Sequence, residues 1–558
     1  MKGQIKKIIG SAIKDNPCEF SIEIPGEKSH GDYSTNVALV LAKKLGKNPR
    51  EVAESIKEKI SALDGPALGG KFPLFSKIEV AGPGFINFFI ADKYFIDNLK
   101  NIGKDYGKVL VLKNEKVIID YTDPNPFKEF HIGHLVPNAI GESLSRIFEF
   151  EGAKVKRVCY QGDVGMHVAK AIWGKVQDAK LSWGAAYAFG AKAYEENPFA
   201  KTEITELNKK IYNRSDKKIN KLYDEGKKNS LERFDEIYKK LGTKFDWLIF
   251  ESQVMDIGKK IVTDGLKAGI FEKGDNNAII FKGEKFGLHT RVFVNSEGLP
   301  TYEAKDLGLA VVKYKKYRYD LSVVVTANEQ TDYFKVMLCA MSKVNSKLAE
   351  KTKHIGHGML RLPEGKMSSR TGKVITGESL IEKVEELVSQ KIKDRELSEK
   401  ERKEITEKVA VGAIRYSILK QSIGSDIIYD FDKSISFEGD SGPYLQYSYT
   451  RAQSVLHKAK VEGVRPSFDK APSEITQLEK SMSYFPEIVL KAGENYEPHF
   501  VVLYLTELAG EFNSYYAKTK IVDKADEFSQ YKVALTSAFA QIMKSGMWLL
   551  GIETLEKM

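Results

Sequence analysis

Two histidines lie three residues apart at a point where a buried strand gives way to a helix. Residues 123–134 read DPNPFKEFHIGH and end on the pair His131 and His134. Proline and asparagine favour a tight turn, and Gly133 lets a ligand approach the backbone closely. A helix N-terminus attracts anions, and two imidazoles there can donate hydrogen bonds during phosphoryl displacement. In this context a catalytic pair is favoured over capping or core histidines and over a metal site.

The same four letters, HIGH, recur at His354–His357. The residues that follow, GMLRLP at 358–363, carry no usual signal for the start of a helix. We therefore interpret the second copy as accidental for catalysis, although its backbone can still line a pocket.

A second candidate for chemistry is the basic segment 365–373, which reads GKMSSRTGK. A glycine-flanked loop rich in basic and hydroxyl groups can close over a triphosphate and neutralise the departing pyrophosphate. It is not a Walker loop, because Gly365 and Gly372 are spaced too widely and Val374 replaces the required serine or threonine. Basic glycine loops are common, so the segment is informative only together with the histidine pair.

The elements around these segments predict an α/β domain. Residues 117–119 read as a buried strand, a helix with a regular apolar face ends at Gly152, and residues 155–160 read as the next strand. This strand–turn–helix–strand order is the unit of a parallel nucleotide-binding sheet. Residues 321–325 predict another buried strand of the same sheet, followed by a helix.

The regions on either side have a different character. Residues 1 to about 110 mix helix and strand patterns, with a helix stop at Gly46 and a helix start at Pro49. From about residue 400 onward the pattern is almost wholly helical. Between about 200 and 245, pairs of lysines recur on helical ground. A solvated helical face is the favoured interpretation of these lysines, and an RNA-facing surface is the alternative.

Composition excludes several classes of protein. The 558 residues are 42% hydrophobic and 29% charged, the balance of a soluble protein of three or four domains and not of a disordered or collagen-like chain. No apolar run approaches the roughly 18 residues of a membrane helix, and no signal peptide is visible. Cys18, Cys159 and Cys339 are isolated, which disfavours a cysteine-built zinc site and fits the reducing cytoplasm. The net charge of +10 permits a polyanionic partner without requiring one.

Together, the histidine motif and the basic segment resemble the HIGH and KMSK signatures of class I aminoacyl-tRNA synthetases. Within that class the chain resembles the arginyl-tRNA synthetase family nearly end to end. The other segments that carry the resemblance are His30–Tyr33, Asn36–Ala38, Val80–Asn87, Phe245–Asp246, Glu251–Ser252, Phe437–Gly439, Gly442–Tyr447, Ala509–Asn513 and Leu549–Ile552.

The resemblance implies three domains. Residues 1–112 would form a small α+β domain that contacts the corner of the L-shaped tRNA. Residues 113–438 would form a parallel, Rossmann-type catalytic domain with an inserted helical and mixed segment at about 180–300. Residues 439–558 would form an all-α anticodon-binding domain.

The resemblance also implies which residues bind ATP and promote the reaction. The catalytic set would be His131, His134, Lys128, Lys366 and Arg370. The ATP-binding set would be His131, Gly133, His134, Met359, Leu360, Lys366, Met367 and Ser368.

A pocket for arginine needs carboxylates for the guanidinium and polar groups for the ammonium end. By resemblance, the candidates are Asp120, Asn125, Tyr302, Asp306 and Gln330. Tyr302 and Asp306 are four residues apart on a predicted helix and so share one face. Any one of the five alone could be an ordinary surface or capping residue, but as a set at strand ends they favour a binding site. Asp120 and Asp306 would place two negative charges against one cation.

Three segments depart from the family pattern. Residues 135–138 are LVPN where the family more often has LRST, and residues 161–165 are QGDVG where many members have GDWG. Both indicate a divergent branch. Ser369 replaces the last lysine of KMSK, and in this family a lysine just before HIGH can supply the missing charge. Lys128 holds that place, and we expect it to share the pyrophosphate with Lys366 and Arg370.

The implied activity is ATP-dependent attachment of L-arginine to tRNA(Arg) through an arginyl-adenylate, which gives arginyl-tRNA, AMP and pyrophosphate. Mg²⁺ would accompany ATP, with no tightly bound metal or organic cofactor and no membrane partner. The family is usually monomeric and generally requires tRNA even for the first step. Exposed aromatic residues of the C-terminal helices would read the anticodon, although tyrosine on a helix is more often core. The candidates are Tyr447, Tyr449, Tyr515 and Tyr516.

Three alternatives stay open at this point. Another class I synthetase, such as the cysteinyl or class I lysyl enzyme, would share both motifs, although no zinc-ligand set supports the cysteinyl enzyme. A simple nucleotidylyltransferase would share HxGH without needing the flanking domains. A catalytically inactive tRNA-binding regulator is disfavoured by the intact His131, His134 and Lys366.

Overall fold

The computed structural model describes residues 1–64, 73–362 and 376–558. The chain forms two compact units, each assembled from segments that are distant in sequence. The first unit comprises residues 1–107, 452–487 and 511–542. The second unit comprises residues 108–451, 488–510 and 543–558.

The N-terminal part of the first unit is an antiparallel sheet with four helices. The helices are α1 (Lys2–Ala12), α2 (Val37–Leu45), α3 (Pro49–Leu63) and α4 (Asp92–Leu99). The strands, in the sheet order β1-β2-β4-β3, are β1 (Ile22–Glu23), β2 (Tyr33–Thr35), β3 (Phe75–Ala81) and β4 (Phe85–Ile90). Helix α2 ends at Gly46 with a left-handed φ of 64°, and Asn48 caps α3 just ahead of Pro49. Both predicted helix boundaries are confirmed.

The segment His30–Tyr33 connects this sheet to later residues of the same unit. The carboxylate of Asp32 is 5% exposed and accepts a hydrogen bond from Lys480 Nζ at 3.1 Å. The ring of Tyr33 is completely buried, and its hydroxyl donates to Glu487 at 2.9 Å. Asp32 and Tyr33 are therefore structural residues, whereas the histidine that opens the segment is exposed.

The second unit is built on a five-stranded parallel sheet. The strands of this unit are β5 (Lys116–Asp120), β6 (Lys154–Gln161), β7 (Trp247–Phe250), β8 (Glu272–Lys273), β9 (Ile279–Phe281), β10 (Arg291–Val294), β11 (Leu321–Ala327), β12 (Thr352–His357), β13 (Leu360–Arg361) and β14 (Ile427–Ile428). The parallel sheet has the order β12-β11-β5-β6-β7, which confirms the predicted α/β class. Because the strand order reverses beside β5, its carboxyl end lies where open parallel sheets bind ligands.

Helices lie between and after these strands along the chain. They are α5 (Leu135–Phe150), α6 (Met166–Gln177), α7 (Trp183–Glu196), α8 (Pro198–Asn213), α9 (Lys217–Leu241), α10 (Glu251–Lys267), α11 (Tyr302–Lys316), α12 (Thr331–Val344), α13 (Ser346–Glu350), α14 (Gly377–Lys391), α15 (Glu399–Leu419) and α16 (Phe431–Ser434). Helices α10 and α11 touch closely, since a Cβ on Gly258 would lie 1.9 Å from the carbonyl oxygen of Ala304. Glycine is therefore required at this crossing, which positions the first turn of α11.

Helix α9 carries the lysine pairs noted in the sequence. One face of it is buried and includes Phe234 and Leu241. On the exposed face, Lys228 and Lys239 form ion pairs with acidic residues one turn away. The arrangement is the solvated face of an amphipathic helix, as the favoured interpretation predicts.

Five helices complete the chain and confirm its predicted helical end. They are α17 (Gly442–Glu462), α18 (Gln477–Ser483), α19 (Phe485–Asn495), α20 (His499–Lys518) and α21 (Ser529–Leu549). In the first unit, Val455, Ile521 and Val533 pack into one apolar cluster. Of the helices in the described residues, none is long and apolar enough to cross a membrane.

Candidate active site

His131 and His134 lie where the chain enters helix α5. A 3-10 turn over Ile132–His134 continues directly into α5. The two imidazole rings stack with centroids 3.7 Å apart, and the backbone N–H of His131 donates to Nδ1 of His134 at 3.1 Å. Because Nδ1 accepts this bond, the neutral ring of His134 carries its proton on Nε2. A Cβ on Gly133 would lie 2.8 Å from the ring of His131, so glycine is required between the two.

Both imidazoles are neutral at pH 7. Burial lowers the pKa of His131, and the nearby charge of Lys128 lowers it further. Burial and the neighbouring His131 hold the pKa of His134 well below its ordinary value. The pair can therefore donate hydrogen bonds to an anion without titrating near neutrality.

Lys128 supplies a cation next to the histidine pair. Its ammonium group is half-buried and lies 5.0 Å from the centre of the Tyr187 ring. Burial lowers the pKa of Lys128, and Glu251 raises it. The loop turns sharply here, since Phe127 has a left-handed φ of 72°. The chain thus holds one positive charge and two neutral donors beside the start of α5.

The remaining residues assigned to ATP and catalysis fall into two groups. Met359 and Leu360 follow strand β12, and the N–H of Met359 donates to Asp426 at 2.9 Å. Leu360 is buried at 7% exposure. The others lie outside the described residues: Lys366, Met367, Ser368 and Arg370.

The second HIGH tetrapeptide forms the end of β12. His354 stacks on Phe334 with ring centroids 3.9 Å apart and shares a 2.8 Å hydrogen bond with Thr326. His357 is 3% exposed, and its Nδ1 lies 2.8 Å from the carbonyl oxygen of Gly358. Identical tetrapeptides therefore have unlike surroundings, a strand end in one case and a helix start in the other.

Asp306 lies in a cluster of titratable side chains near the carboxyl ends of strands β5 and β6. The hydroxyl of Tyr333 donates to Oδ2 of Asp306 at 2.6 Å. Burial raises the pKa of Asp306 to about 7, against the lowering effects of Tyr333 and Lys313. The Tyr160 hydroxyl is buried with no hydrogen-bond partner among the described residues. Burial and, next, the charge of Asp306 raise the pKa of Tyr160. The cluster thus contains the carboxylate of Asp306 and the phenols of Tyr160 and Tyr333.

Asp120, which the resemblance assigns to the same pocket, is already paired inside the protein. Lys313 Nζ lies 3.0 Å from Oδ2 of Asp120, and the side chains are 3% and 1% exposed. A buried carboxylate needs a counter-charge of this kind, and the role of Asp120 toward a guanidinium stays a prediction.

Tyr302 and Gln330 are the most exposed of the five pocket candidates. Tyr302 opens α11, is 62% exposed, and has the ammonium of Lys305 5.2 Å from its ring centre. Gln330 ends a 3-10 turn after β11 and is exposed. The predicted helix that joins Tyr302 to Asp306 is confirmed, but Asp306 is half-buried and Tyr302 is not.

Asn125 is held by the loop that follows β6. Its Oδ1 accepts from the N–H of Gly162 at 2.9 Å, and a Cβ on Gly162 would lie 2.5 Å from that oxygen. The next residue, Asp163, is completely buried and accepts from Lys227 at 2.7 Å and from the N–H of Ser252 at 2.9 Å. Hydrogen bonds of residues 161–165, the QGDVG segment, therefore stabilise the loop that carries Asn125.

Asn138, in the LVPN departure, belongs to a buried polar cluster. Its Nδ2 donates to Thr122 at 3.1 Å, and its Oδ1 accepts from Thr243 at 3.0 Å. Arg415 is 1% exposed and donates to the Thr243 hydroxyl at 3.2 Å. Thr122 has a left-handed φ of 81°, so Asn138 stabilises a strained turn that leads to Asn125.

The four tyrosines assigned to tRNA differ in exposure. Tyr449 is 1% exposed and donates to Glu556 at 3.2 Å, so its ring presents no face to a base in this structure. Tyr447 is half-buried. Tyr515 is half-buried against an apolar cluster, and Tyr516 is 42% exposed. Tyr516 is therefore the most exposed tyrosine of this set.

No metal-binding cluster is found in residues 1–64, 73–362 and 376–558. This part of the chain has no group of three or more histidine, cysteine, aspartate or glutamate side chains that could hold a metal ion. The cysteines are unpaired, and Cys159 is buried.

Known proteins resemble this chain along its whole length. An arginine--tRNA ligase of Fusobacterium nucleatum is 32% identical across 96% of this chain and 95% of the relative. This chain belongs to the arginyl-tRNA synthetase family. An arginine--tRNA ligase of Clostridium perfringens is 30% identical across 99% of this chain and 100% of the relative.

Domain families and fold agree with membership of the arginyl-tRNA synthetase family. The class I (R) tRNA synthetase catalytic domain matches residues 98–431, the DALR anticodon-binding domain matches 445–558, and the arginyl-tRNA synthetase N-terminal domain matches 1–90. The fold is similar to that of Thermus thermophilus arginyl-tRNA synthetase, with a TM-score of 0.81, 22% identity and full coverage of both chains. The predicted family and fold class are confirmed.

Sequence reasoning missed three residues of the cluster around Asp306. Tyr160 and Tyr333 read as ordinary strand and helix positions, and Lys313 carried no motif. One signal was available, since Lys313 follows Asp306 by seven residues and so lies on the same face of α11. The contact between Lys313 and Asp120 spans 193 residues and has no local signature.

Proposed function

We propose that this protein attaches L-arginine to tRNA(Arg) with the use of ATP. The end-to-end likeness to arginine--tRNA ligases at 30% to 32% identity carries the proposal. The buried acidic cluster around Asp306 supports arginine as the amino acid. The neutral histidine pair beside Lys128 supports a polyphosphate as the second substrate. These features favour the synthetase over a nucleotidylyltransferase or a catalytically inactive regulator.

In the proposed reaction a carboxylate oxygen of arginine attacks the α-phosphorus of ATP, and the bond to the β-phosphate oxygen breaks to release pyrophosphate. The terminal ribose hydroxyl of tRNA then attacks the arginyl carbonyl and displaces AMP. No side-chain nucleophile is needed, so catalysis consists of positioning and electrostatic stabilisation. Mg²⁺ bound with ATP would neutralise phosphate charge. His131, His134 and Lys128 would donate hydrogen bonds to the phosphates.

The wider assignments belong to the same proposal. Residues 1–112 would contact the corner of tRNA, residues 113–438 would catalyse both steps, and residues 439–558 would read the anticodon. Lys366, Met367 and Ser368 would bind the phosphates of ATP, and Arg370 would share the pyrophosphate. The protein would be a cytoplasmic monomer and would need tRNA for arginine activation.

ATP–pyrophosphate exchange with a panel of amino acids tests this function. The assay is run with and without tRNA(Arg), and exchange is expected with arginine and tRNA together. Preference for lysine or cysteine would refute arginine as the substrate. Absence of exchange under every condition would favour the inactive regulator.

Lys128→Ala is expected to slow arginyl-adenylate formation about 10- to 100-fold, because it removes a cation from the developing pyrophosphate charge. Lys128→Arg should recover much of the rate, and the exposed Lys228→Ala on α9 is the matched control. Single-turnover adenylate formation and the tRNA Kd are measured side by side. A defect confined to the tRNA Kd would show that Lys128 does not act on the phosphates.

Tyr516→Ala is expected to weaken tRNA binding by about 1 kcal/mol, the lower end of what one stacked base contributes. Tyr449→Phe is the control, because it keeps a ring that is buried and removes only a hydroxyl. The tRNA Kd is measured by titration at fixed ionic strength. An equal loss of tRNA affinity in both variants would mean that solvent exposure does not identify the tyrosine that binds RNA.

A further inference from the structure

Arg415 of α15 is a buried cation whose hydrogen bonds go to neutral groups. Its side chain is 1% exposed. Within the described residues, Nη2 donates to the carbonyl oxygen of Leu241 at 2.7 Å, to the Thr243 hydroxyl at 3.2 Å and to Oδ1 of Asn138 at 3.5 Å. Nε and Nη1 are buried without a partner in this part of the chain. Because a buried charge without a bonded counter-ion is costly, stability alone does not account for an arginine here.

The guanidinium of Arg415 is charged and closely confined. Burial lowers its pKa to about 10, and Arg146 lowers the pKa further while Glu142 opposes both effects, so the group is a cation at pH 7. Glu142 itself binds Arg146 at 2.7 Å and Arg157 at 3.0 Å. The backbone of Gly551 closes the space beside Nη1, since a Cβ there would lie 2.6 Å from this nitrogen. Close packing therefore fixes where the guanidinium points.

Arg415 sets the direction of a chain of three polar side chains. A guanidinium can only donate, so the Thr243 hydroxyl accepts from it and gives its own proton to Oδ1 of Asn138 at 3.0 Å. The amide nitrogen of Asn138 then points the other way and donates to Thr122 Oγ1 at 3.1 Å. Two hydroxyls and one amide by themselves can hydrogen-bond in either direction. The arginine selects one direction, and none of the three side chains is more than 5% exposed to competing water.

The chain of hydrogen bonds ends on a strained turn directly after β5. Thr122 and Asp123 have left-handed φ values of 81° and 46°. Such values are costly for a β-branched residue and persist only where neighbouring groups enforce them. Asn138 holds the Thr122 hydroxyl, and the N–H of Tyr160 donates to Asp123 Oδ1 at 2.7 Å. The turn leads into the segment that ends at the histidine motif of His131.

We propose that Arg415 is a positioning residue for the candidate active site. It orients Asn138 through Thr243 and so holds the turn at Thr122 in the conformation that feeds the histidine motif. Arg415 acts through these side chains without contact with a substrate. Asn138 lies in the LVPN segment, so the link uses a residue at which this chain departs from the family pattern. The catalytic consequence rests on the proposed function, whereas the hold on the turn does not.

Amide hydrogen exchange tests the hold on the turn without any assay of activity. In Arg415→Met the amides of peptides that cover residues 121–131 are expected to exchange about 10-fold faster, because the hydrogen bonds that restrain the turn are weakened. Arg402→Met is the matched control. Arg402 is on the same helix and donates to the carbonyl oxygens of Ile392 and Arg395, so its loss should leave these peptides at the wild-type rate. Unchanged exchange of residues 121–131 in Arg415→Met would overturn the inference.

Single-turnover arginyl-adenylate formation tests the consequence for catalysis. Arg415→Met and Thr243→Val are each expected to slow this step about 10- to 100-fold, because reacting groups are displaced, and to leave the tRNA Kd unchanged. The double variant should be about as slow as the slower single variant, since both break the same chain of hydrogen bonds. A rate loss equal to the product of the single losses would overturn the action through Thr243. All rates are measured well below the Tm of each variant.

The outcomes keep this inference apart from the proposed function. A wild-type protein without arginine-dependent ATP–pyrophosphate exchange would refute the function, and amide exchange would still decide whether Arg415 holds the turn. A reduced Tm in Arg415→Met, with a protected turn and the wild-type adenylate rate, would show a purely structural arginine and overturn the inference. If Arg415→Met does not fold, Arg415→Lys and Thr243→Val carry the test. Lysine also only donates and should keep the turn protected, whereas Thr243→Val should expose it.

Discussion

Asp306→Asn is expected to lower kcat/KM for arginine at least about 100-fold, because a guanidinium without its counter-charge is costly to bury. Asparagine keeps the size of the side chain and can still accept the hydrogen bond from Tyr333. KM should rise more than kcat falls, since the ion pair is made in the ground state and the transition state alike. Steady-state aminoacylation with varied arginine measures both constants.

The Asp306 carboxylate should give the wild-type protein an acid limb, which is a fall of kcat/KM for arginine at low pH. Burial raises the pKa of Asp306 to about 7, and only its ionised form attracts the guanidinium. kcat/KM reports the free enzyme, so its value for arginine should rise with pH through about 7 and then level off. The pKa values of His131 and His134 are lowered, so these residues titrate below this range. The limb should be absent from Asp306→Asn.

Asp332→Asn is the matched control for Asp306→Asn. Asp332 is an exposed carboxylate in the first turn of α12 and pairs with Lys335 at 2.9 Å. Its substitution should leave the arginine KM near the wild-type value, because the lost charge is in solvent. Wild-type arginine kinetics in Asp306→Asn would remove Asp306 from the pocket.

Local sequence patterns predicted the helix boundaries and the strand–turn–helix order of this protein. The stop at Gly46 and the start at Pro49 depend on backbone geometry that a few neighbouring residues determine. The strand–turn–helix context around His131 likewise follows from adjacent residues, and it separated the first HIGH copy from the second. Short-range patterns of this kind can be read without knowledge of the tertiary structure.

The charge state of the pocket could not be predicted in the same way. Asp120 meets Lys313 across 193 residues, and Asn138 meets Thr243 across 105. Such contacts depend on how the sheet and helices pack. Tyr447 and Tyr449 show the same limit, since residues two apart on a helix face different directions. The pattern implies that their exposures differ but not which of the two is buried.

His131→Ala is expected to slow arginyl-adenylate formation about 100- to 1,000-fold, the usual loss when one donor to a developing negative charge is removed. The substitution keeps the backbone N–H of His131, which orients His134, so the loss reports on one side chain and not on collapse of the motif. The ring is already neutral at pH 7, because burial lowers its pKa. The defect should therefore be nearly constant around neutral pH. Single-turnover assays with ATP, arginine and tRNA measure the rate.

The second HIGH copy provides a control for His131→Ala within the same chain. His354→Ala removes the same residue type from the same tetrapeptide, but this ring stacks on Phe334 at a strand end. We expect it to lower Tm and to leave adenylate formation close to the wild-type rate. If His354→Ala and His131→Ala slowed adenylate formation equally, the position of a HIGH motif at a helix start would not determine its catalytic role. A wild-type rate in His131→Ala would exclude its side chain from phosphoryl displacement and leave Lys128 and His134 to stabilise the phosphates.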